Sequence, residues 1–346
     1  MPMKKDLIDR LALEKTLSKA EFSELISGFD DTDRKYAAET ARKTALKNFG
    51  NKVYIRGLIE ISSFCKNDCL YCGLRRDNAK AERYRLSKDE ILSCCETGYP
   101  LGFRTFVLQG GEDLFYTDEM LEDIVVSIKK RFPDCAVTLS LGEKSRESYE
   151  RLFNAGADRY LLRHETASKS HYSRLHPPDM ALSNRMRCLY DLKEIGFQTG
   201  CGFMVGSPFQ TPENIAEDLL FMKKLDPQMV GRGPFIPQKD TPFGKYPAGD
   251  IKLCLFLLSL IRIMLEKALL PATTALGTAK SDGRELGILS GANVIMPNLS
   301  PADARKKYLL YDNKLSSDEE ASENIEKLRQ KIKSIGYEIV TSRGDY

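Results

Sequence analysis

Over the first fifty residues apolar positions recur three and four apart, in LIDRLALEK, EFSELISGF and RKYAAETARKTALKNFG, the last of which ends at Gly50. That spacing predicts amphipathic helices with a glycine stop. Beyond residue 50 the texture changes. Short β-branched and aromatic runs recur, each followed by a loop with Gly, Pro or Asp and then by a longer amphipathic segment. Eight runs read as strands: 53–61, 105–109, 136–140 and 159–164, then 198–205, 229–236, 271–276 and 293–297. Segments such as 88–97, 118–131, 183–195, 212–224 and 250–267 supply the helical crossovers that parallel neighbours need. Eight strand-helix units predict an α/β fold of the closed (βα)8 TIM type, although an open doubly wound sheet shares the same alternation. The tail SSDEEASENIEKLRQKIKSIG places acids first and bases last, as a helix dipole favours, and predicts a closing helix. The expected organisation is a helical extension over 1–50 and one barrel domain over 51–346.

Composition narrows the class of partner. Hydrophobic residues at 42% and charged residues at 29% are globular averages, and no apolar run is long enough to span a bilayer. The N-terminal stretch mixes both charge signs and lacks a small-residue cleavage site, so no export signal is expected. Nine cysteines at irregular spacing, with no secretory address, suit a reducing compartment, and a cytoplasmic location is expected. A net charge of +3 without a basic block argues against a nucleic-acid partner or an anionic membrane surface.

Chemistry concentrates in FCKNDCLYCGLRRDN, where Cys65, Cys69 and Cys72 follow the first strand with spacing Cys-x3-Cys-x2-Cys. A structural zinc site would need a fourth ligand, usually from a second Cys-x-x-Cys. Three thiolates on a cubic iron-sulfur cluster instead leave one iron free for another ligand. In a barrel, the loop after a strand lies on the face where active sites collect. LQGGED, Leu108 to Asp113, stands in the same place after the second strand. The other six cysteines, Cys94, Cys95, Cys135, Cys188, Cys201 and Cys254, lack ligand spacing and read as core residues.

This spacing, with Tyr71 directly before the third cysteine, resembles the signature loop of the radical S-adenosylmethionine (SAM) superfamily. The resemblance implies a [4Fe-4S] cluster on Cys65, Cys69 and Cys72, with SAM chelating the open iron and being split reductively to a 5'-deoxyadenosyl radical. Implied cofactor contacts are Tyr71 against the adenine, the Gln109, Gly110, Gly111 and Glu112 stretch at the methionyl amino group, Glu165, Arg185 at the methionyl carboxylate, Met204 and Thr138; read from the residues alone, Glu165 is equally an ordinary ion-pair member, Arg185 a solvated helix arginine and Met204 a core methionine. RYRLS, VTLSLGE, GADRYLLRHETA, GFMVGSPFQT, MVGRGPFIPQKDTP, LPATTALGT and GANVIMPN together resemble the HydE family of [FeFe]-hydrogenase maturases. That implies action on a small iron complex with carbonyl, cyanide and cysteine-derived ligands made by HydG, with other maturation proteins and a reductant of unknown identity as partners. Arg56, Arg163, Met229, Thr273 and Thr274, with Thr138, are implied to line the substrate chamber. Arg56 and Arg163 could instead pair with Glu60, Glu143 or Glu165 as scaffolding, whereas His164 should face outward by alternation. Tyr308 and Tyr311 read either as lids or as buried edges. The family's RPD is HPPD here, at His176 to Asp179, and residues 301–346 hold no cysteine, so one cluster is expected. Rival readings are a 3-methylornithine synthase-like mutase and a non-enzymatic iron-sulfur carrier.

Overall fold

The computed structural model describes residues 4–314 and 324–346. Helices α1 (Lys4–Glu14), α2 (Lys19–Ile26) and α3 (Asp31–Phe49) open the chain. Capping boxes start two of them, Ser18 with Glu21 and Asp30 with Asp33, each pair satisfying amide groups the first turn leaves bare. Strands β1 (Lys52–Ile55) and β2 (Gly57–Ser62) form one track interrupted at Arg56. There follow α4 (Lys88–Gly98), β3 (Thr105–Gly110), α5 (Asp118–Arg131), β4 (Ala136–Ser140), α6 (Arg146–Asn154) and β5 (Arg159–Leu161). Next come α7 (Lys169–Leu175), α8 (Leu182–Ile195), β6 (Gln198–Cys201), β7 (Met204–Val205), α9 (Pro212–Leu225), β8 (Met229–Val230) and β9 (Gly233–Pro234). The chain ends with α10 (Ile251–Met264), α11 (Thr274–Ala279), α12 (Gly283–Leu289), β10 (Val294–Ile295), α13 (Ala302–Lys307), α14 (Ile325–Ser334) and β11 (Glu338–Val340).

Strands β2, β3, β4, β5, β6 and β8 pair in parallel in that order. Bridges Met229 to Leu269 and Pro271 to Val294, with β10 on β1 and Asn298 beside Leu58, close the circle. The closed barrel therefore stands, and the open sheet does not. Its seventh strand is short, pairing around Leu269 to Pro271. The expected strand over 271–276 is corrected: Thr273 is the extended residue before α11, and Thr274 is that helix's first residue. Threonines that read as a β-branched run here cap and open a helix that continues through Ala275 and Leu276.

Helix α10 has eleven of its fourteen residues buried, because the N-terminal helices α1 and α3 cover the face turned away from the barrel. The buried alanines Ala37, Ala41 and Ala45 let α3 approach closely. The expected closing helix begins on residues outside those described; α14 covers its second half. Beyond α14 the chain forms a strand that the sequence pattern did not predict: β11 adds in parallel to β1, pairing Lys52 with Glu338. The last residues cap the N-terminal ends of the strands, where Arg159, wholly buried, donates to Arg343 O at 3.0 Å and meets Asp345 at 2.6 Å. All six non-motif cysteines are buried free thiols. Among the described residues no helix is long and apolar enough to cross a membrane.

Candidate active site

At the opposite, C-terminal end of the barrel the loop after β2 carries Cys65, Cys69 and Cys72, all free and partly exposed. Its shape is held from several sides. Lys66 N donates to Glu112 O at 2.9 Å, and Gly73 N to Leu310 O at 2.9 Å. The Arg83 guanidinium donates to Leu74 O at 2.9 Å and Arg75 O at 2.7 Å, while Arg75 pairs with Asp68. A Cβ on Gly111 would lie 2.1 Å from Phe64 O, so glycine is required for the cysteine loop to rest on the GGE loop. At Gly110 a Cβ would meet nothing closer than 3.5 Å. The close approach at these glycines is thus the chain's own, and only Gly111 demands it.

Burial pushes the Cys65 thiol up and, joined by repulsion from its two sister thiols, pushes Cys69 well up; Cys72 rises to about 12 by burial and by Cys65. Three thiols that resist ionisation together are a site that a multivalent cationic centre would stabilise, at the cost of displaced protons. Among the described residues no three His, Cys, Asp or Glu side chains converge as one bound ion would require. Three thiols of one loop are a sulfur donor set of the kind that iron-sulfur clusters take.

Around the cysteines, Arg185 lies between two carboxylates: its Nε is 2.6 Å from Glu143, its Nη2 3.6 Å from Glu112, and its Nη1 donates to Arg163 O at 3.2 Å. Burial would lower its pKa, but Glu143, Tyr172 and Glu112 outweigh that and raise it. Glu112 also reaches Lys66 at 3.3 Å, and its side chain fills the space that a Cβ on Gly142 would take. Glu165 sits in the left-handed region at φ 64°, a strained conformation for a non-glycine residue. Tyr71 and Leu70 pack on Leu175, Met204, Phe235 and Phe243. Gln109 Nε2 reaches the Tyr308 hydroxyl at 3.4 Å.

Inside the barrel, alternation fixes direction. Ile55, Val137, Leu139 and Val230 join the main core, so Arg56, Thr138 and Met229 face the axis. His164 faces outward as expected, 3.5 Å from Asp218 of α9, which turns Arg163 inward. Arg56 pairs with none of the three glutamates: Glu60 is taken by Lys314 and Glu143 by Arg185, and among the described residues Arg56 Nη1 meets only Met229 Sδ, at 3.0 Å. Arg163 Nη2 lies 3.1 Å from Glu165 without hydrogen-bond alignment. Arg56 Nε and Nη2, Arg163 Nε and Nη2, Thr138 Oγ1 and Thr273 Oγ1 are buried without hydrogen-bond partners among the described residues. Thr273 approaches Gly233, and Thr274 is half-buried on α11. Such orphaned donors mark a place shaped for an acceptor or anion.

Tyr308 is buried, and Tyr311 is half-buried with its phenol raised to about 12 by burial. They belong to a strap tied to the cysteine loop at Gly73 and to the loop after β9, where Asp312 N donates to Pro237 O at 3.0 Å. Sequence reading gave no site role to Arg83 or Lys314, named Glu143 only as a possible partner of Arg56 or Arg163, and named His176 only as the start of HPPD. The available signals were the charged residues of SLGEK and RYRLS.

Residues 59–222 match the radical SAM superfamily. The chain is 48% identical to the [FeFe] hydrogenase maturase subunit HydE of Thermotoga maritima over 83% of its length and 81% of that protein. It is 27% identical to the 3-methylornithine synthase of Methanosarcina acetivorans over 93% of its length and 90% of that protein. The crystal structure of methylornithine synthase (PylB) superposes with a TM-score of 0.83 at 25% identity, covering 96% of this chain and 97% of that one.

Proposed function

The chain belongs to the radical SAM superfamily and, within it, to the family of the hydrogenase maturase HydE, and from that premise we propose that it prepares a small iron complex for the [FeFe]-hydrogenase active site. The observation that carries this reading is the stacking of two features in one barrel. Three free thiols of one loop lie at the mouth, and guanidinium and hydroxyl donors without a hydrogen-bond partner among the described residues lie inside the barrel. Cys65, Cys69 and Cys72 would hold a [4Fe-4S] cluster, leaving one iron for SAM. When bound, cluster and SAM supply one-electron cleavage of the sulfonium to a 5'-deoxyadenosyl radical.

The chain's own residues bind, orient and shelter. Tyr71 and Met204 offer an apolar bed for the adenine, and Glu165 accepts from the ribose or amino group. The methionyl end falls to Gln109, Gly110, Gly111 and Glu112, with Thr138 below. Arg185 already has two carboxylate partners, so its role toward the methionyl carboxylate is that of one member of the Glu112, Arg185 and Glu143 group. That group also offers carboxylate oxygens to the amino group. Arg56 and Arg163, with Met229, Thr273 and Thr274, receive the iron complex, whose carbonyl and cyanide ligands accept hydrogen bonds. The strap at Tyr308 and Tyr311 keeps water from a reactive carbon centre.

A cytoplasmic location, HydG and the other maturation proteins as partners, and an external reductant follow from the same reading. The identity of 48% to HydE against 27% to 3-methylornithine synthase favours the maturase. The test is anaerobic reconstitution with iron and sulfide, then incubation with SAM and the product of HydG. Consumption of that iron complex is expected. Rearrangement of labelled lysine instead would assign the chain to the mutases, and absence of 5'-deoxyadenosine would leave only a cluster carrier.

A further inference from the structure

Directly after α7, at the start of HPPD, His176 is buried and enclosed by two tyrosines. Its ring stacks on Tyr172 with centroids 3.9 Å apart and meets Tyr71 edge-on at 5.5 Å. Its Nδ1 lies 3.0 Å from Tyr172 O, an acceptor only, so Nδ1 carries the proton and donates. Nε2, 3.1 Å from the Tyr71 hydroxyl, is then the bare acceptor, and the phenol donates to it. Burial supports this neutral tautomer by driving the imidazole down to about 3. The same segment grips the cysteine loop twice more: Leu70 N donates to Leu175 O at 3.0 Å, and Cys69 Sγ lies 3.8 Å from Met180 Sδ. α7 itself is anchored, with His171 Nε2 3.1 Å from Pro208 O.

We infer that His176 is a positioning residue for SAM: by accepting the Tyr71 hydroxyl it fixes the plane of the ring on which the adenine rests. This rests on the reading of Tyr71 as the adenine platform. A phenol ring on a loop between two cysteines has torsional freedom, and one end tied to a buried acceptor removes it before the nucleotide arrives. His176 touches no reacting atom in this scheme; it acts only through Tyr71.

The test measures SAM affinity by anaerobic equilibrium dialysis on cluster-reconstituted protein, with iron and sulfide counted in every sample. His176→Phe keeps a ring to stack on Tyr172 and removes the acceptor. His176→Gln restores one. Expected are an affinity loss of roughly three- to tenfold for His176→Phe at unchanged iron content, the scale of one net hydrogen bond, and partial recovery in His176→Gln. Tyr71→Phe should lose about as much, and Tyr71→Phe with His176→Phe should be no worse than either alone. Wild-type affinity in His176→Phe, or losses that multiply in the double variant, would overturn the inference. Loss of iron in step with affinity would overturn it too, by making His176 part of the scaffold. Tyr71→Ala with wild-type affinity is a separate failure, which removes the platform reading itself.

Discussion

Arg56 is costly to the barrel on its own, and under the proposed function that cost is offset when the iron complex binds. Burial and the charge of Arg159 push its pKa well down, Asp345 only partly opposes them, and among the described residues only the Met229 thioether meets its fork. Arg56→Met should therefore stabilise the ligand-free protein by on the order of 1 kcal/mol or more in urea unfolding, while abolishing uptake of the iron complex. A destabilised variant with normal uptake would make Arg56 a scaffold residue. Cys69→Ala should abolish SAM cleavage and lower the iron content yet leave the thermal midpoint of the unloaded protein in place, since a partly exposed loop thiol supports little of the core. Cysteine chemistry was legible in the sequence because its ligand spacing is local. Arg56 and Arg163 were legible as charges within runs read as strands, although the strands themselves stop at Ile55 and Leu161. The partners of Arg185 were not, because Glu112, Glu143 and Arg185 come from three separate parts of the chain and meet only when the barrel closes.

At the scale of elements, α7 and the residue after it carry two buried imidazoles, His171 and His176, each with its pKa lowered chiefly by burial. Each therefore holds less proton folded than unfolded as pH falls below about 6.5. The unfolded state therefore binds more protons as pH falls from there, and for His176 this continues toward about 3, so stability drops on acidification. His176 alone should cost about 2 kcal/mol between about pH 6.5 and 5, and His176→Phe should flatten the profile by that amount in denaturant melts. An unchanged slope would mean the imidazole is solvated. The strap depends on Lys314, which pairs with buried Glu60 and donates to Tyr308 O at 3.1 Å. Lys314→Met strands that carboxylate and should cost about 3 to 5 kcal/mol, with faster amide exchange confined to the strap and its contacts. Periodicity made the N-terminal helices and most strands visible. The seventh strand was misplaced because Pro271 and the threonines look β-like while the helix after them is short. β11 escaped notice because a strand of three residues after Gly336 has too little pattern to detect.

As a whole the molecule is a barrel stopped at one end by its own C-terminal residues and capped at the other by the cysteine loop, the GGE loop and the strap. The lower stopper is held through Arg159, and removing residues 341–346 would take away its bonds to Arg343 O, Gly344 O and Asp345, leave those to Thr105 and Gln198, and open that end of the barrel to water. The truncated chain should lose several kcal/mol of stability while its cysteine loop keeps the same sequence and ligand spacing. Closure at both ends suits chemistry that must be kept from water, and it sets three neighbouring unmatched thiols at the face where a cofactor can enter. The measurement that most directly tests the open-iron assignment is electron paramagnetic resonance of the reduced, anaerobically reconstituted protein before and after SAM is added. The expected result is a [4Fe-4S] signal that changes when SAM is added and is lost in the Cys69→Ala variant. A protein that holds zinc, or a cluster whose signal is indifferent to SAM because the chain ligates every iron, would contradict it.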